Sequence, residues 1–318
     1  MRILVTGASG FVGAMLCRDL LARGHTVRAA VRDASRQAAI PSESETIEIP
    51  DIAGEFDRRA LVEGSDAVVH LAAIAHRAVD DSSLRRVNVD ATLRLAEAAA
   101  GRVRRFVFLS SVKVHGEDSG NGAYSESDPL VPQDPYGRSK LAAERALSEL
   151  SERTGMELAV IRPPLVYGPG VRANFLRLLR WADSGWPLPF GAVRNRRSLI
   201  YVGNLADAIA RCVEQPRATG AFLVSDRETP STPELVSRVA RALGRPPRLL
   251  AVPPILLRFA GTLLGRSSEI RRLTGNLVVD TERVRHQLGW QPPYTLDEGL
   301  TETARWFRAL RRADKATR

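Results

Sequence analysis

The stretch Ile-Leu-Val-Thr-Gly-Ala-Ser-Gly-Phe-Val-Gly, residues 3–13, decides the fold of this chain. A short apolar run leads into three glycines, and an apolar helical pattern follows up to about residue 23. Gly7 permits a tight turn, Gly10 lets backbone N–H groups approach a pyrophosphate, and Gly13 lets the helix pack close to the strand. The pattern therefore predicts a strand–turn–helix unit that binds a dinucleotide. Further contacts from the same loop are expected from Ser9, Phe11 and Val12.

Strand and helix patterns alternate from this unit onward. Runs such as Ala67–Ala72 and Phe106–Ser110 are apolar almost throughout, which is typical of strands that are covered on both faces. Strand, helix and strand in this order predict an α/β fold, a doubly wound parallel sheet of the Rossmann type.

The texture of the chain changes after Arg162, where prolines and glycines separate shorter elements. We expect a Rossmann domain over residues 1–164, with some return of the chain around 195–215, and a smaller mixed α/β substrate domain over 165–318. The most apolar later stretch, 249–264, is interrupted by prolines, an arginine and a glycine, so it falls short of a membrane span. It is predicted to be a buried helix of the second domain, with a contact at a membrane surface as the alternative. No membrane insertion is expected.

The composition limits the classes of partner. The 318 residues contain 46 Lys and Arg against 36 Asp and Glu, for a net charge of +10, which suggests an anionic partner. The basic residues are scattered and the aromatic share is only 6%, so nucleic acid is not expected. Two cysteines without C-x-x-C or H-E-x-x-H spacing predict a reduced protein with no metal site. The first apolar run begins at residue 3, which leaves no room for a secretion signal, so a cytoplasmic protein is expected.

The end of the second predicted strand bears on the choice of coenzyme. An acidic residue there would accept both ribose hydroxyls of NAD, but Val31 and Arg32 occupy the position. A guanidinium can bind a 2′-phosphate, so NADP(H) is favoured over NAD(H), although Asp33, one position later, could still support NAD. Asp51 and Ile52 are expected to cap the adenine. Small residues and backbone that approach the cofactor after the next strand are expected at Leu71, Ala72 and Ala73.

Tyr136 and Lys140 carry the chemistry expected of this site. Asp134-Pro135 predicts a helix start, so Tyr136 and Lys140 share one helix face at positions i and i+4. An ammonium close to the phenol is expected to lower the Tyr136 pKa from about 10 toward about 7, which would let the phenol exchange a proton with a substrate oxygen. Ser111, after a predicted strand, would hydrogen-bond the same oxygen beside the nicotinamide.

Four motifs in this order, Thr-Gly-x-x-Gly-x-x-Gly, His-Leu-Ala-Ala, Ser-Ser and Tyr-x-x-x-Lys, resemble those of the extended short-chain dehydrogenase/reductases. The segments 162–170 and 197–207 resemble the nucleotide-sugar epimerase/dehydratase branch of that family. The resemblance implies that the serine, tyrosine and lysine are catalytic, that NAD(P) and a UDP-sugar bind, and that helices containing 84–100 and 136–150 form a homodimer. The further cofactor and substrate contacts that it implies are Pro163, Leu165, Asn174, Phe175, Pro189, Phe190, Arg197 and either Arg271 or Arg272.

Departures from the family pattern narrow the reaction. Dehydratases carry Thr-Asp-Glu where this chain has Ser111-Val112-Lys113, so the acid and base for water elimination are missing. The 4-epimerases usually end this segment with Val-Tyr-Gly, where this chain has Val-His-Gly, and they hold NAD through the acidic residue that Val31-Arg32 replaces. The Ser-Ser-x-Lys-Val-x-Gly segment, together with the Pro-Pro-Leu-Val-Tyr-Gly-Pro-Gly stretch at 163–170, resembles most closely the reductases of UDP-4-keto-6-deoxy-N-acetylhexosamines.

We therefore expect NADPH-dependent reduction of the C4 keto group of a UDP-2-acetamido-2,6-dideoxy-4-hexulose, a step of bacterial surface polysaccharide synthesis. Lys113 would face the sugar, unless it is a solvated loop lysine. One alternative is an NAD-dependent UDP-hexose 4-epimerase that acts on UDP-glucose or UDP-N-acetylglucosamine through the same three residues. A second alternative is a non-catalytic NADP-binding regulator on the same fold.

Overall fold

The structure is a computed structural model that describes residues 1–33, 40–75, 80–263, 265 and 267–316. Its strands are β1 (Arg2–Thr6), β2 (Thr26–Val31), β3 (Glu45–Glu48), β4 (Ala67–His70), β5 (Arg105–Leu109), β6 (Glu157–Arg162), β7 (Leu165–Tyr167), β8 (Leu199–Tyr201) and β9 (Gly220–Leu223). Seven strands form a parallel sheet in the order β3-β2-β1-β4-β5-β6-β9, and β7 and β8 form a second, parallel pair. The predicted doubly wound parallel sheet is confirmed.

Helices from the first part of the chain and the helix Val202–Glu214 cover both faces of this sheet. The described helices of the whole chain are α1 (Phe11–Ala22), α2 (Arg58–Val62), α3 (Asp81–Arg85), α4 (Ala91–Ala99), α5 (Pro135–Thr154), α6 (Ala173–Ser184), α7 (Val202–Glu214), α8 (Thr232–Ala242), α9 (Pro254–Leu263), α10 (Ser267–Thr274), α11 (Glu282–Leu288) and α12 (Leu296–Ala316). Successive strand residues point to opposite faces, so Ile3 packs in the cluster with α1 and α7, whereas Leu4 packs in the cluster with α4 and α5. A π-helical turn, Arg86–Asp90, joins α3 to α4.

The chain returns to the seven-stranded sheet after β7, α6 and β8, which lie outside it. Helix α7 packs against α1, and β9 pairs with β6, so the return reaches residue 223, beyond the predicted 195–215. Arg105 of β5 is fully buried, pairs with Glu157 and donates to the carbonyls of Cys212 (2.7 Å) and Val213 (3.1 Å). The late segment therefore completes the first core, while the division after residue 164 stays a prediction.

The part of the chain predicted to bind substrate, which we call the substrate lobe, has an apolar core of its own. Tyr167, Phe175, Leu179, Val239 and Leu300 belong to this core, and they come from β7, α6, α8 and α12. A second, smaller cluster lies under α9 and includes the buried Leu188, Phe190, Val193, Val236 and Leu257.

The prediction of a buried helix within 249–264 is wrong. In α9 the buried residues are Leu257 and Gly261, one turn apart, whereas Ile255, Phe259 and Leu263 are exposed. The reason is that the cluster beneath α9 packs against only one face of the helix. Hydrophobicity alone does not show whether a second surface covers the other face. Among the described residues, no helix is both long and apolar enough to cross a membrane.

Candidate active site

The glycine turn between β1 and α1 is closed by a hydrogen bond from the Gly10 N–H to the Gly7 carbonyl (2.9 Å). Gly7 has a φ of +69°, in the left-handed region that favours glycine. A Cβ on Gly13 would lie 2.2 Å from the Gly7 oxygen, and one on Gly7 would lie 2.9 Å from the Ala72 nitrogen. The turn therefore needs glycine both for the close approach of α1 and for the close approach of the loop after β4.

The start of α1 fits the pyrophosphate of a dinucleotide. Gly10 is the N-cap of α1, and no side chain in the described part of the chain caps this helix, so its first-turn N–H groups are free to bind an anion. Gly10 itself is exposed, and Ser9, Phe11 and Val12 beside it are partly exposed. The residues present thus form a cradle for the phosphates of a nicotinamide dinucleotide.

The residues predicted to bind adenosine lie along the neighbouring strand ends. Val31 is buried at the end of β2, and Arg32 and Asp33 after it are exposed. Asp51 accepts from the Ala53 N–H (3.2 Å) and pairs with Arg86 (3.2 Å), so its loop after β3 is ordered. Ile52 beside it is buried and presents little of its side chain to a ligand. Segment 34–39 lies outside the described residues.

Asn88 holds the loop that follows β4, and sequence reasoning missed it. Its amide oxygen accepts from the Ile74 N–H (2.8 Å), and its amide nitrogen donates to the Ile74 carbonyl (3.1 Å) and to the Ser139 hydroxyl (3.0 Å). Leu71–Ala73, predicted to approach the coenzyme, lie in this loop. The signal that could have identified Asn88 is a single amide between two valines inside an apolar helical pattern.

His70 lies in the buried end of β4 between two threonine hydroxyls, Thr6 (2.7 Å) and Thr92 (2.9 Å). Burial, with a smaller effect from the Lys140 charge, lowers the His70 pKa to about 3. The imidazole is therefore neutral at physiological pH, and it ties β1 to α4 beneath the coenzyme cradle.

The three predicted catalytic residues lie at one edge of the sheet. Helix α5 begins at Asp134, whose carboxylate accepts from the Gly137 N–H (2.7 Å), so Tyr136 and Lys140 follow on its first two turns. Lys140 is fully buried, and its Nζ lies 3.9 Å from the centroid of the Phe108 ring. A Cβ on Gly137 would lie 2.8 Å from the Lys113 carbonyl, so the first turn of α5 touches the short turn that starts at Ser111.

Burial sets the ionisation of this pair in a way that the sequence reasoning did not foresee. It lowers the pKa of Lys140 to about 7, although the Glu144 carboxylate acts in the opposite direction. Burial, together with the Asp134 charge, raises the pKa of Tyr136. The expected lowering of the Tyr136 pKa by Lys140 is therefore wrong for the chain alone, because a lysine that is half neutral at pH 7 cannot offset the cost of a buried phenolate.

A buried ion pair lies one helical turn beyond Lys140. Glu144, one turn after Lys140, accepts from Arg162 at 2.6 Å and 3.1 Å, and both side chains are almost completely buried. Arg162 is also 3.1 Å from Nε2 of His115, whose pKa burial and the Arg162 charge lower to about 4. The neutral imidazole therefore accepts from the guanidinium, and the network fixes α5 against β6.

Three cations predicted to bind substrate converge beside Tyr136. Lys113 pairs with Asp134 and with Glu117 (3.5 Å), and its Nζ lies 6.0 Å from the centroid of the Tyr136 ring. Arg272 reaches the same carboxylates, Glu117 at 2.6 Å and Asp134 at 3.8 Å. Lys113 is therefore paired with two carboxylates and is not a solvated loop lysine, while its contact with a sugar stays a prediction. Sequence reasoning missed Glu117, which gave no local signal.

Arg197 completes this cluster. Its guanidinium donates to the carbonyl of Arg272 and to that of Gly275 (3.2 Å). Burial lowers the Arg197 pKa to about 10, so the side chain stays charged at physiological pH. Asp134 is buried too, but its hydrogen bonds from Lys113 and from the Gly137 N–H lower its pKa. The region beside Tyr136 therefore presents fixed charges of both signs.

The other predicted substrate contacts are dispersed. Phe175 is buried and stacks on Tyr167 with ring centroids 5.3 Å apart, and Phe190 is buried in the cluster under α9. Asn174 is exposed and accepts from Arg177. Leu165 is exposed, Pro189 is partly buried, and buried Pro163 accepts from the Val112 N–H (2.9 Å). The roles of these residues in binding stay predictions.

Residues 3–224 match the family described as the NAD dependent epimerase/dehydratase family. The chain belongs to this family. The predicted membership of the epimerase/dehydratase branch, and with it an NAD(P)-dependent enzyme, is confirmed.

Two full-length relatives in this epimerase/dehydratase family bear the same name. The chain is 41% identical over 315 residues to a UDP-glucose 4-epimerase of Vibrio cholerae, which covers 96% of this chain and 95% of the relative. It is 34% identical over 330 residues to a UDP-glucose 4-epimerase of Mycolicibacterium smegmatis, with 97% and 99% covered. The crystal structure of a UDP-glucuronic acid 4-epimerase of Bacillus cereus, in complex with NAD, shares the fold at a TM-score of 0.80 and 24% identity, with 98% and 99% covered.

Proposed function

We propose that the protein is an NAD-dependent UDP-hexose 4-epimerase. The observation that carries the proposal is the 41% identity to the Vibrio cholerae UDP-glucose 4-epimerase along nearly the whole of both chains. The reductase that the sequence motifs favoured has less support, because it rested on two short segments and on Val31-Arg32. The substrates proposed are UDP-glucose and its C4 epimer, with UDP-N-acetylglucosamine as a further candidate.

The catalytic roles follow from the placement of three side chains. Tyr136 takes the proton from the C4 hydroxyl of the sugar and later returns it, while the Ser111 hydroxyl holds the same oxygen by a hydrogen bond. Lys140, on the same helix face, is placed to stabilise the tyrosinate when its own ammonium is charged. The nicotinamide of a dinucleotide whose phosphates are held at the glycine turn would accept the C4 hydride and return it to the opposite face of the sugar.

The diphosphate of the substrate fits the pair formed by Arg197 and Arg272. A guanidinium binds phosphate oxygens through paired N–H groups, and the Arg197 side chain donates to the backbone carbonyl of Arg272. Arg272 must exchange Glu117 for a phosphate oxygen on binding, so the substrate replaces one charge-assisted contact by another. The exchange keeps every charge paired.

The NADPH-dependent 4-ketoreductase is kept as the second candidate because of one observation. Arg32 is exposed directly after β2, where a guanidinium can bind a 2′-phosphate, which supports NADP(H) over NAD(H). The predicted homodimer and the cytoplasmic location also stay proposals, and light scattering of the purified protein measures the first of them.

A label at C4 distinguishes these functions. Purified protein receives UDP-galactose deuterated at C4, with no coenzyme added, and NMR follows the sugar while the nucleotide released by acid is identified. An epimerase forms UDP-glucose that keeps the deuterium at C4, because the hydride returns to the same carbon. The variants Tyr136→Phe and Ser111→Ala lose this activity, whereas Tyr294→Phe, at a partly exposed tyrosine of the substrate lobe, keeps it.

Two other outcomes contradict the proposal. Oxidation of NADPH by UDP-4-keto-6-deoxy-N-acetylglucosamine, without interconversion of UDP-hexoses, would establish the reductase. Binding of NADP(H) without turnover of either substrate would establish the non-catalytic regulator.

A further inference from the structure

The substrate lobe exposes an apolar surface that the proposed reaction does not use. The apolar corner, as we call it, consists of Trp186, Leu250, Ile255, Leu256, Phe259 and Leu263. The exposed fractions of four of these residues are 78% for Trp186, 75% for Ile255, 65% for Phe259 and 71% for Leu263. Several large apolar side chains exposed in one region are typical of a surface that binds a protein, a membrane or a ligand.

The six residues belong to one region because their backbones are tied to one another. The Leu188 N–H donates to the Arg248 carbonyl (2.9 Å), and the Leu250 N–H donates to the Leu188 carbonyl (2.9 Å). Trp186 therefore lies two residues before Leu188 in the first of the two joined segments. Helix α9 starts four residues after Leu250 in the second segment. Leu257 anchors α9 to the same cluster that contains Leu188.

The segment that contains α9 is positively charged. Residues 241–263 contain four arginines, with no lysine and no acidic residue, and one of the four, Arg245, pairs with Asp183. Arg258 is exposed on α9 itself, and the exposed Arg248 donates to the Gly185 carbonyl (3.2 Å), next to Trp186. An apolar face bordered by arginines is complementary to a partner that has an apolar interior and negative charges at its surface.

We propose that the apolar corner docks α9 into the headgroup layer of an anionic lipid bilayer. The helix has 10 residues and is about 15 Å long, half the thickness of a hydrocarbon core, so it lies in the plane of the membrane and does not cross it. Its isoleucine, leucine and phenylalanine side chains enter the boundary of the acyl chains. The arginine side chains reach up to the lipid phosphates.

The arginines also distinguish a bilayer from a second copy of the chain. Two apolar corners facing each other would bring two arginine-rich segments together, and like charges at an interface oppose association. A bilayer of anionic lipids instead supplies the opposite charge to every arginine at the rim. Charge complementarity therefore favours the lipid surface.

Docking places the proposed substrate site near the membrane. Helix α10 packs on α9, since Ile270 and Leu273 contact the cluster that contains Leu257. The same helix carries Arg272, which pairs with Glu117. A bilayer that holds α9 therefore also restrains α10, which carries one of the two arginines proposed to bind the diphosphate.

Vesicle flotation tests the proposal. The full chain is mixed with vesicles of phosphatidylethanolamine and phosphatidylglycerol, or of phosphatidylcholine alone, and the bound fraction is measured at low and high salt. We expect binding to the anionic vesicles that salt weakens. The triple variant Ile255→Gln, Phe259→Gln, Leu263→Gln should bind at least about tenfold more weakly. The control is Val131→Gln, at an exposed valine outside the apolar corner, and it should bind like the unmodified chain.

The remaining readouts separate this proposal from its rivals. The triple variant should keep the UDP-hexose activity in lipid-free solution, so a loss of docking is not a loss of folding or of the proposed reaction. Absence of flotation, or flotation that the triple variant retains, overturns the proposal. If the chain does not float, and the triple variant also converts a dimer to a monomer, a second copy covers the apolar corner.

Discussion

Lys140→Met should stabilise the chain in its coenzyme-free form, although it removes a residue that we propose to be catalytic. Burial lowers the Lys140 pKa from 10.5 to about 7, so folding disfavours its charged form. At 1.36 kcal/mol for each tenfold change in proton affinity, this costs the folded state about 5 kcal/mol below pH 7. Methionine has a similar length and no charge, so it avoids that cost.

The pH dependence of the effect has a definite sign. Below about pH 7 the lysine is protonated in both the folded and the unfolded chain, and the full cost is present. As the pH rises from about 7 to 10.5 the folded chain has already lost its proton, so the cost disappears progressively. The advantage of the methionine variant should therefore fall to about 2 kcal/mol at pH 9 and vanish above pH 11.

Thermal unfolding of protein stripped of nucleotide measures this effect. With an unfolding entropy of about 2.1 cal/mol/K per residue, the 318 residues convert 5 kcal/mol into a rise in Tm of about 7 °C at pH 6, and about 3 °C at pH 9. Lys113→Met serves as the control, because it removes a salt-bridge partner of Asp134 and Glu117, leaves Arg272 as their charged partner and should not raise the Tm. A gain that does not change with pH, or a loss at pH 6, would refute the reasoning.

A direct titration supports the same test. The chain contains only three lysines, at positions 113, 140 and 315, so lysine labelled with ¹³C at Cε gives a simple NMR spectrum. The Lys140 resonance should titrate near pH 7. A midpoint near 10 would show that the buried ammonium is not destabilised.

Three further substitutions follow from the packing. Gly13→Ala should abolish coenzyme binding, measured by nucleotide released from the purified protein, because its Cβ would overlap the phosphate-loop backbone; Gly122→Ala, with open space around it, should bind normally. Glu144→Ala leaves Arg162 buried without its partner and should cost about 3–5 kcal/mol in urea unfolding, and replacing both residues by methionine should restore at least half of that loss. Arg105→Met breaks the contacts of a buried guanidinium to four backbone carbonyls and should lower stability by a similar amount; a loss below about 1 kcal/mol would mean that water takes over these contacts.

The elements predicted correctly from the sequence are those whose signal is local. The glycine turn and the Tyr136–Lys140 helix face depend on spacings of three and four residues, which backbone geometry converts directly into positions. The Asp134 cap is of the same kind, since the carboxylate and the N–H that it accepts from are three residues apart.

The contacts that the sequence did not reveal join distant segments. Glu117 and Arg272 are 155 residues apart, and their pairing exists only because α10 packs over the turn after β5. The direction of the Tyr136 pKa shift was missed for a related reason. It depends on how deeply the whole fold buries the phenol, and a motif of five residues does not contain that information.

The exposed side of α9 shows a different limit. A run of apolar residues shows that a helix must bury a face, but not that the same chain supplies the covering surface. Leu257 and Gly261 are buried against a surface that the chain itself supplies, whereas Phe259 is exposed.

The late return of β9 has a consequence for biosynthesis. During translation the first six strands of the sheet leave the ribosome with residue 162, yet β6 pairs with Gly220–Leu223. Until residue 223 has emerged, β6 is an open edge and the buried Arg105 lacks the carbonyls that receive it. A nascent chain that stalls between these two points therefore exposes an unpaired strand edge and leaves Arg105 with Glu157 but without its carbonyl acceptors, and it becomes a target for chaperones.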